Sequence, residues 1–204
     1  VCQGLSCWIA GSDDVLANLK AQGKPAIAVS CLAQCDRAPA LLDSELNVVA
    51  EPRAAVSPAD PELPMNLAGD DTQAYAALAR AIEMGPEGVL DTLDASGLQG
   101  RGGAGFPAAI KWRMVSEQPV LERYVVCNAD EAEPGTFKDR EVMLRRPHRI
   151  LEGLAIAAFA VGSKDVYLYI RGEFKAERAA IEKAIQEAPS WPVEGLTFTI
   201  VDGH

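Results

Sequence analysis

Residues 96–112, SGLQGRGGAGFPAAIKW, and residues 123–140, RYVVCNADEAEPGTFKDR, decide the reading of this chain. The first is a glycine-dense loop with two cations, Arg101 and Lys111, and with Pro107 where a first helical turn tolerates it. The second is an apolar strand that runs into Asn128, Asp130, Glu131 and Glu133. Outward from this pair, helical spacing covers residues 72–84, 86–93, 107–115, 139–160 and 175–187. Strand patterns cover residues 122–127, 165–170 (DVYLYI) and 196–201 (LTFTIV). Strands separated by helices of this length predict parallel βαβ units, and hence an α/β fold with helices packed on a parallel sheet.

The two stretches have complementary chemistry. Glycines let a backbone approach an anion closely, and Arg101 and Lys111 add formal charge to the amide dipoles. Carboxylates and a carboxamide suit hydroxyls and ring N–H groups, and in parallel sheets ligands sit at the carboxyl ends of strands. Gly100, Gly102 and Gly105 also satisfy G-x-G-x-x-G, but residues 88–96 before them read as helix. The ordinary dinucleotide fingerprint needs a strand there, so the glycine loop is atypical of that motif. The bland alternatives are a helix–helix connector and a solvated acidic loop with Asp139 and Arg140 paired on a helix surface.

Cys2, Cys7, Cys31 and Cys35 form two close pairs, C-x4-C and C-x3-C, and Cys127 ends a strand pattern as a packing residue. Four thiolates from two loops can hold two irons. A four-thiolate zinc site, disulfides or reduced thiols are the competing readings. Around these pairs, Ser12 can cap a helix through Leu19, and residues 26–30 read as a short buried strand. Residues 1–50 are an α/β fragment too small to hold itself together unaided. Residues 51–71, with Pro52, Pro58, Pro61 and Pro64, read as a linker, and residues 72–204 as the second domain.

The 204 residues carry a formal charge of −10, which argues against nucleic acid or an anionic membrane as partner. No apolar run reaches the roughly 20 residues of a spanning helix. No secretory leader is evident, though the chain begins at Val1, so a cytoplasmic location is expected. His148, and Trp8, Trp112 and Trp191, read as surface, capping or packing residues.

Four segments, GLQGRGGAGFPAAIKW, YVVCNADEAEPGTFKDREVM, PHRILEGLAIAAFAVG and VYLYIRGEF, in this order closely resemble the flavoprotein subunit of respiratory complex I. The same module occurs in NAD-dependent formate dehydrogenases and NAD-linked hydrogenases. The resemblance implies a Rossmann-like FMN and NAD(H) domain. Gly100, Arg101, Gly102 and Gly103, with Gly105 in the same loop, would lie along the phosphates, and Lys111 would reach across to them. Asn128 and Asp130 would hold the flavin side chain, Glu131 and Glu133 would line the nicotinamide mouth, and Phe106 would stack the adenine. Met114 stands where the family tends to carry a second aromatic, and Gln99 replaces a frequent arginine.

The N-terminal cysteines resemble those of thioredoxin-like [2Fe–2S] ferredoxins, with Cys2, Cys7, Cys31 and Cys35 as ligands of a truncated domain. The family's later glycine–glutamate loop and its [4Fe–4S] cysteines are expected in a C-terminal part missing from these residues. The resemblance implies an electron-transfer subunit within a multi-subunit oxidoreductase. The preferred parent is a soluble NAD-dependent formate dehydrogenase with a large formate-oxidising iron–sulfur/metal subunit. The alternatives are a hydrogenase diaphorase, complex I itself, or a cofactor-poor docking subunit with zinc.

Overall fold

The computed structural model describes residues 1–49, 74–120, 122–133, 135–188, 191 and 193–203. The predicted linker lies outside the described residues, as do Thr72, Gln73, Pro134 and His204.

A three-stranded parallel sheet organises the second part of the chain. Its strands are β3 (Tyr124–Ala129), β4 (Asp165–Arg171) and β5 (Thr197–Gly203), in the order β3-β4-β5. Strand alternation sends Val166, Leu168 and Ile170 of β4 into one core, where α5 (Lys138–Arg145), α6 (Pro147–Val161) and α7 (Lys175–Glu187) pack. Met143, Leu151, Ala158, Ile181 and Ala184 are their buried contributions. The opposite face carries Tyr124, Val126, Tyr167 and Tyr169, with Tyr124 and Val126 exposed. The expected α/β architecture with a parallel sheet is thus present.

Two helices sit outside this layer. α3 (Ala76–Ala95) packs on α6, and α4 (Ala108–Ser116) packs on both. Gly85 breaks α3 with φ 76° and ψ 167°, and Pro86 restarts it, as the sequence predicts. The single long helix expected over residues 139–160 is instead two, α5 and α6, parted at Arg146 (φ −141°, ψ 47°). Pro147 is the reason: its ring drives the preceding residue out of helical geometry.

Helix starts are satisfied from a distance. Glu152 on α6 accepts the Ala77 and Leu78 amides of α3 at 2.7 and 3.1 Å. Glu131, at the end of β3, accepts the Asp139 and Arg140 amides of α5 at 3.0 and 3.2 Å. Neither α5 nor the N-terminal helix α2 (Ser12–Ala21) has a local side-chain cap: Phe137 stands before the one, and Gly11, not Ser12, before the other. Local sequence could not show caps that lie many residues away.

The N-terminal residues form α1 (Leu5–Ile9), α2 and an antiparallel pair, β1 (Leu41–Leu42) with β2 (Val48–Val49). The strand expected over residues 26–30 reduces to one parallel bridge, Cys2 with Val29. Cys2, Cys7, Leu32, Ala38 and Ala40 make a small core of their own. Ala33, fully buried, packs instead into the core beneath the parallel sheet. Arg140, 1% exposed, donates from Nη1 to Gln34 Oε1, and Lys175 Nζ donates to the Glu45 carbonyl. The N-terminal residues are therefore packed against α5, β4 and α7.

Candidate functional site

The glycine loop is pinched at its base. Gly100 N–H donates to the Phe106 carbonyl at 2.8 Å and Ala108 N–H to the Leu98 carbonyl at 2.9 Å. Between these anchors the chain stands clear of the protein, and a Cβ added at Gly102 or Gly103 would meet no other atom within 4 Å. Gly103 also has φ 101°, a region that side chains rarely adopt. Internal packing does not demand glycine at Gly102, so its bare backbone is available to a ligand. A cavity of about 320 Å³ opens beside it, lined by Gly100, Gly102, Gly105, Phe106, Lys111 and Trp112 among others. Lys111 puts an exposed ammonium on the first turn of α4. Arg101 is exposed on the loop itself.

The acidic residues divide. Asn128 is exposed near the carboxyl end of β3, opposite Tyr169, and its Oδ1 accepts the Asp130 amide at 3.2 Å. Asp130 Oδ1 is buried with no hydrogen-bond partner among the described residues. A buried carboxylate oxygen left unpaired is costly, and a hydroxyl of a bound molecule would satisfy it. Glu133 is exposed. Glu131 turns inward: its side chain is 2% exposed, holds the α5 amides and lies 3.7 Å from Lys138 Nζ. The position expected to line a nicotinamide mouth thus anchors a helix. None of the four acidic-loop positions lines the cavity beside the glycine loop.

The four N-terminal cysteines share one environment. Each sulfur accepts a backbone N–H: Gly4 to Cys2, Ala33 to Cys31 and Ala40 to Cys7 at 3.4 Å, and Gly135 to Cys35 at 3.3 Å. All are free thiols, and Cys2, Cys7 and Cys31 are buried. Gly4 lets the first pair approach the second, since a Cβ there would stand 3.2 Å from both Cβ and Sγ of Cys31. Burial pushes the Cys7 thiol up to about 11, against the Ala40 amide, with the Cys2 thiol adding to the rise. Burial likewise raises Cys31, opposed by the Ala33 amide and the Arg171 charge. Neither thiol ionises near neutral pH unaided, so ligation by a cation would release protons. Among the described residues, no three Cys, His, Asp or Glu side chains gather as ligands of one metal ion. A two-iron cluster asks for a different arrangement, with two thiolates on each iron. The donor set, with N–H groups aimed at its sulfurs, fits such a cluster.

Comparison with known proteins bears on both regions. The family model described as the Nuo51 FMN-binding domain matches residues 93–203, which takes in both loops. The chain belongs to this family. Within it, an NADH-quinone oxidoreductase subunit of Aquifex aeolicus (strain VF5) is 49% identical over 114 residues, 56% of this chain and 26% of that protein. The mitochondrial NADH dehydrogenase [ubiquinone] flavoprotein 1 of Dictyostelium discoideum is 45% identical over 134 residues, 60% of this chain and 28% of the relative. The chain thus spans about a quarter of the length of these Nuo51-family relatives. The crystal structure of an NAD+-reducing [NiFe]-hydrogenase in the H2-reduced state superposes with a TM-score of 0.85 at 28% identity. That match covers 99% of this chain, the cysteine-bearing N-terminal residues included, and 42% of the other.

Three contributors have no role assigned by the sequence. Arg171, at the end of β4, donates to the carbonyls of Cys31 and Glu131. Gly135 serves Cys35, and Gly4 gives way to Cys31. Only Arg171 gave a signal, as a charge at the carboxyl end of a central strand. His148, read as surface or capping, bonds Tyr75 Oη through Nδ1 at 2.9 Å and is a packing residue.

Proposed function

We propose that this chain binds FMN and NAD(H) and is part of an electron-transfer, diaphorase-type subunit with a [2Fe–2S] cluster at Cys2, Cys7, Cys31 and Cys35. The observation that carries the reading is the unobstructed backbone at Gly102 and Gly103 above a cavity flanked by Lys111. That loop offers amides and cations to phosphates, with Arg101 and Lys111 supplying charge. Asp130 Oδ1 and Asn128 offer acceptor and amide groups to ribityl hydroxyls. Phe106 and Trp112 give the cavity an aromatic wall for a heterocycle. Glu133 remains a candidate for the outer rim, whereas Glu131 fixes the loop from within.

A flavin supplies exchange between two-electron hydride chemistry and single electrons, and this chain's residues supply position and charge. No side chain is needed as acid or base. Full-length protein purified with its partners tests the reading. It should carry about one FMN, released on denaturation and fluorescent, and should reduce ferricyanide with NADH. A flavin-free protein that does not bind added FMN would end it.

For the partner, we propose a large subunit that oxidises a small substrate, formate being the first choice by family likeness. A hydrogenase partner is the second reading. The likeness to the NAD+-reducing hydrogenase along 99% of this chain favours it. A [4Fe–4S] cluster and the remainder of the flavin pocket are assigned, in the same proposal, to residues beyond these. The metal in the co-purified large subunit decides between the two partners. Among the described residues no helix is long and apolar enough to cross a membrane. A cytoplasmic site of action is likewise proposed.

A further inference from the structure

Arg171 ends the central strand of the parallel sheet, the place where such folds hold ligands. Its guanidinium is buried, 7% exposed, and each nitrogen serves a different segment. Nη2 donates to the Cys31 carbonyl at 2.6 Å, Nη1 to the Glu131 carbonyl at 3.1 Å, and Nε to Glu173 Oε2 at 3.2 Å. One planar fork therefore ties the second cysteine pair to the acidic loop. A second tie runs in parallel, from the Gly135 amide of that acidic loop to Cys35 Sγ at 3.3 Å. Both residues of the C-x3-C pair are thus held by groups from the nucleotide-binding part of the chain. Sequence separations of 140 and 100 residues make these contacts products of tertiary packing alone.

We propose that Arg171 is a positioning residue for the iron–sulfur cluster. It fixes the Cys31 loop against the acidic loop and, through its buried charge, raises the cluster's reduction potential. The inference rests on the reading of the four cysteines as [2Fe–2S] ligands. Reduction of such a cluster adds one electron and, with no bond made or broken, makes its charge more negative by one. A fixed cation nearby in a poorly screened interior favours the reduced form. Amides aimed at the sulfurs act in the same direction, and Gly135 supplies one of them. Glu173, paired with Arg171, partly cancels its charge.

This gives two substitutions of opposite sign. The full chain in its complex is titrated with dithionite while the [2Fe–2S] EPR signal is followed, its assignment fixed by its loss in Cys35→Ser. Arg171→Gln should move the midpoint to a more negative potential. Glu173→Gln, a change in a turn, should move it to a more positive one. A residue that mattered only for folding would not produce opposite shifts. A Glu173→Gln midpoint that is unchanged or more negative overturns the proposal, whether or not Arg171→Gln folds. So does a folded, cluster-loaded Arg171→Gln protein with the wild-type midpoint. Wild-type protein without iron and sulfide overturns the cluster reading and this inference together.

Discussion

Asp130 is the residue whose state says most about the site. Its buried Oδ1 has no partner among the described residues, although its own amide is bonded to Asn128. Asp130→Ala should weaken FMN retention by about tenfold or more, since a hydrogen bond to a charged group contributes about 1.5–3 kcal/mol and about 1.4 kcal/mol is tenfold, measured by fluorescence titration of deflavinated protein. Lys111→Ala should weaken it less, because an exposed ammonium is screened by salt. Cys2, Cys7, Cys31 and Cys35 lend themselves to a complementary measurement. Cys35→Ser should lower iron and sulfide content and remove the corresponding visible absorbance, with FMN content unchanged. Glu177 gives a pH signature. Burial raises its carboxyl above the ordinary range, outweighing the nearby Arg140 charge. A raised folded pKa contributes stability that is present below the unfolded pKa and lost as pH rises through the folded one. Glu177→Gln should therefore gain on wild type in denaturant midpoints as pH rises above the unfolded carboxyl's value of about 4.3, and the two should converge in acid.

At the scale of elements, remote carboxylates replace local caps. Glu152 and Glu131 each accept two amides at the start of a helix to which they do not belong. Such bonds hold α3 on α6 and α5 on the end of β3, so each is a packing device as well as a cap. Glu152→Ala should cost about 2 kcal/mol in chemical denaturation, since buried amides lose a charged acceptor. The break between α5 and α6 matters here too. It redirects the chain after Arg145, so that α5 carries Arg140 toward Gln34 while α6 lies under the sheet. The proline that causes it was visible in the sequence, but the helical spacing on either side is continuous. Periodicity does not register a one-residue interruption, whereas backbone sterics do.

At the scale of the molecule, the N-terminal residues and the sheet are joined through buried charge. Arg140, at 1% exposure, bonds Gln34, lies over the Phe137 ring and sits 3.9 Å from Glu177 and 3.4 Å from Glu141. Arg140→Ala should destabilise by roughly 3–5 kcal/mol, because it leaves the buried Glu177 carboxyl without its cation and Gln34 Oε1 without its donor. Limited proteolysis should then cut the N-terminal residues first, as they lose their hold on α5. The burial of Ala33 in the sheet's own core points the same way. The cysteine-bearing residues have only a small core of their own, and docking onto the sheet buries more of their surface.

Much of this was legible in one dimension. Helices and strands of the second part follow from apolar periods of 3.6 and 2, and helix α7 spans Lys175–Glu187 as its spacing predicts. The glycine loop and the clustered cysteines were visible because their chemistry depends on residue type at short spacing. The tertiary structure decided what no local pattern encodes. It assigned Glu131 to a helix start, left Asp130 Oδ1 without a partner among the described residues, and brought Arg171 and Gly135 to the second cysteine pair. The physical reason is one of range: periodicity and turn chemistry act within a few residues, whereas the pairing of buried polar groups is settled only when distant segments leave water together.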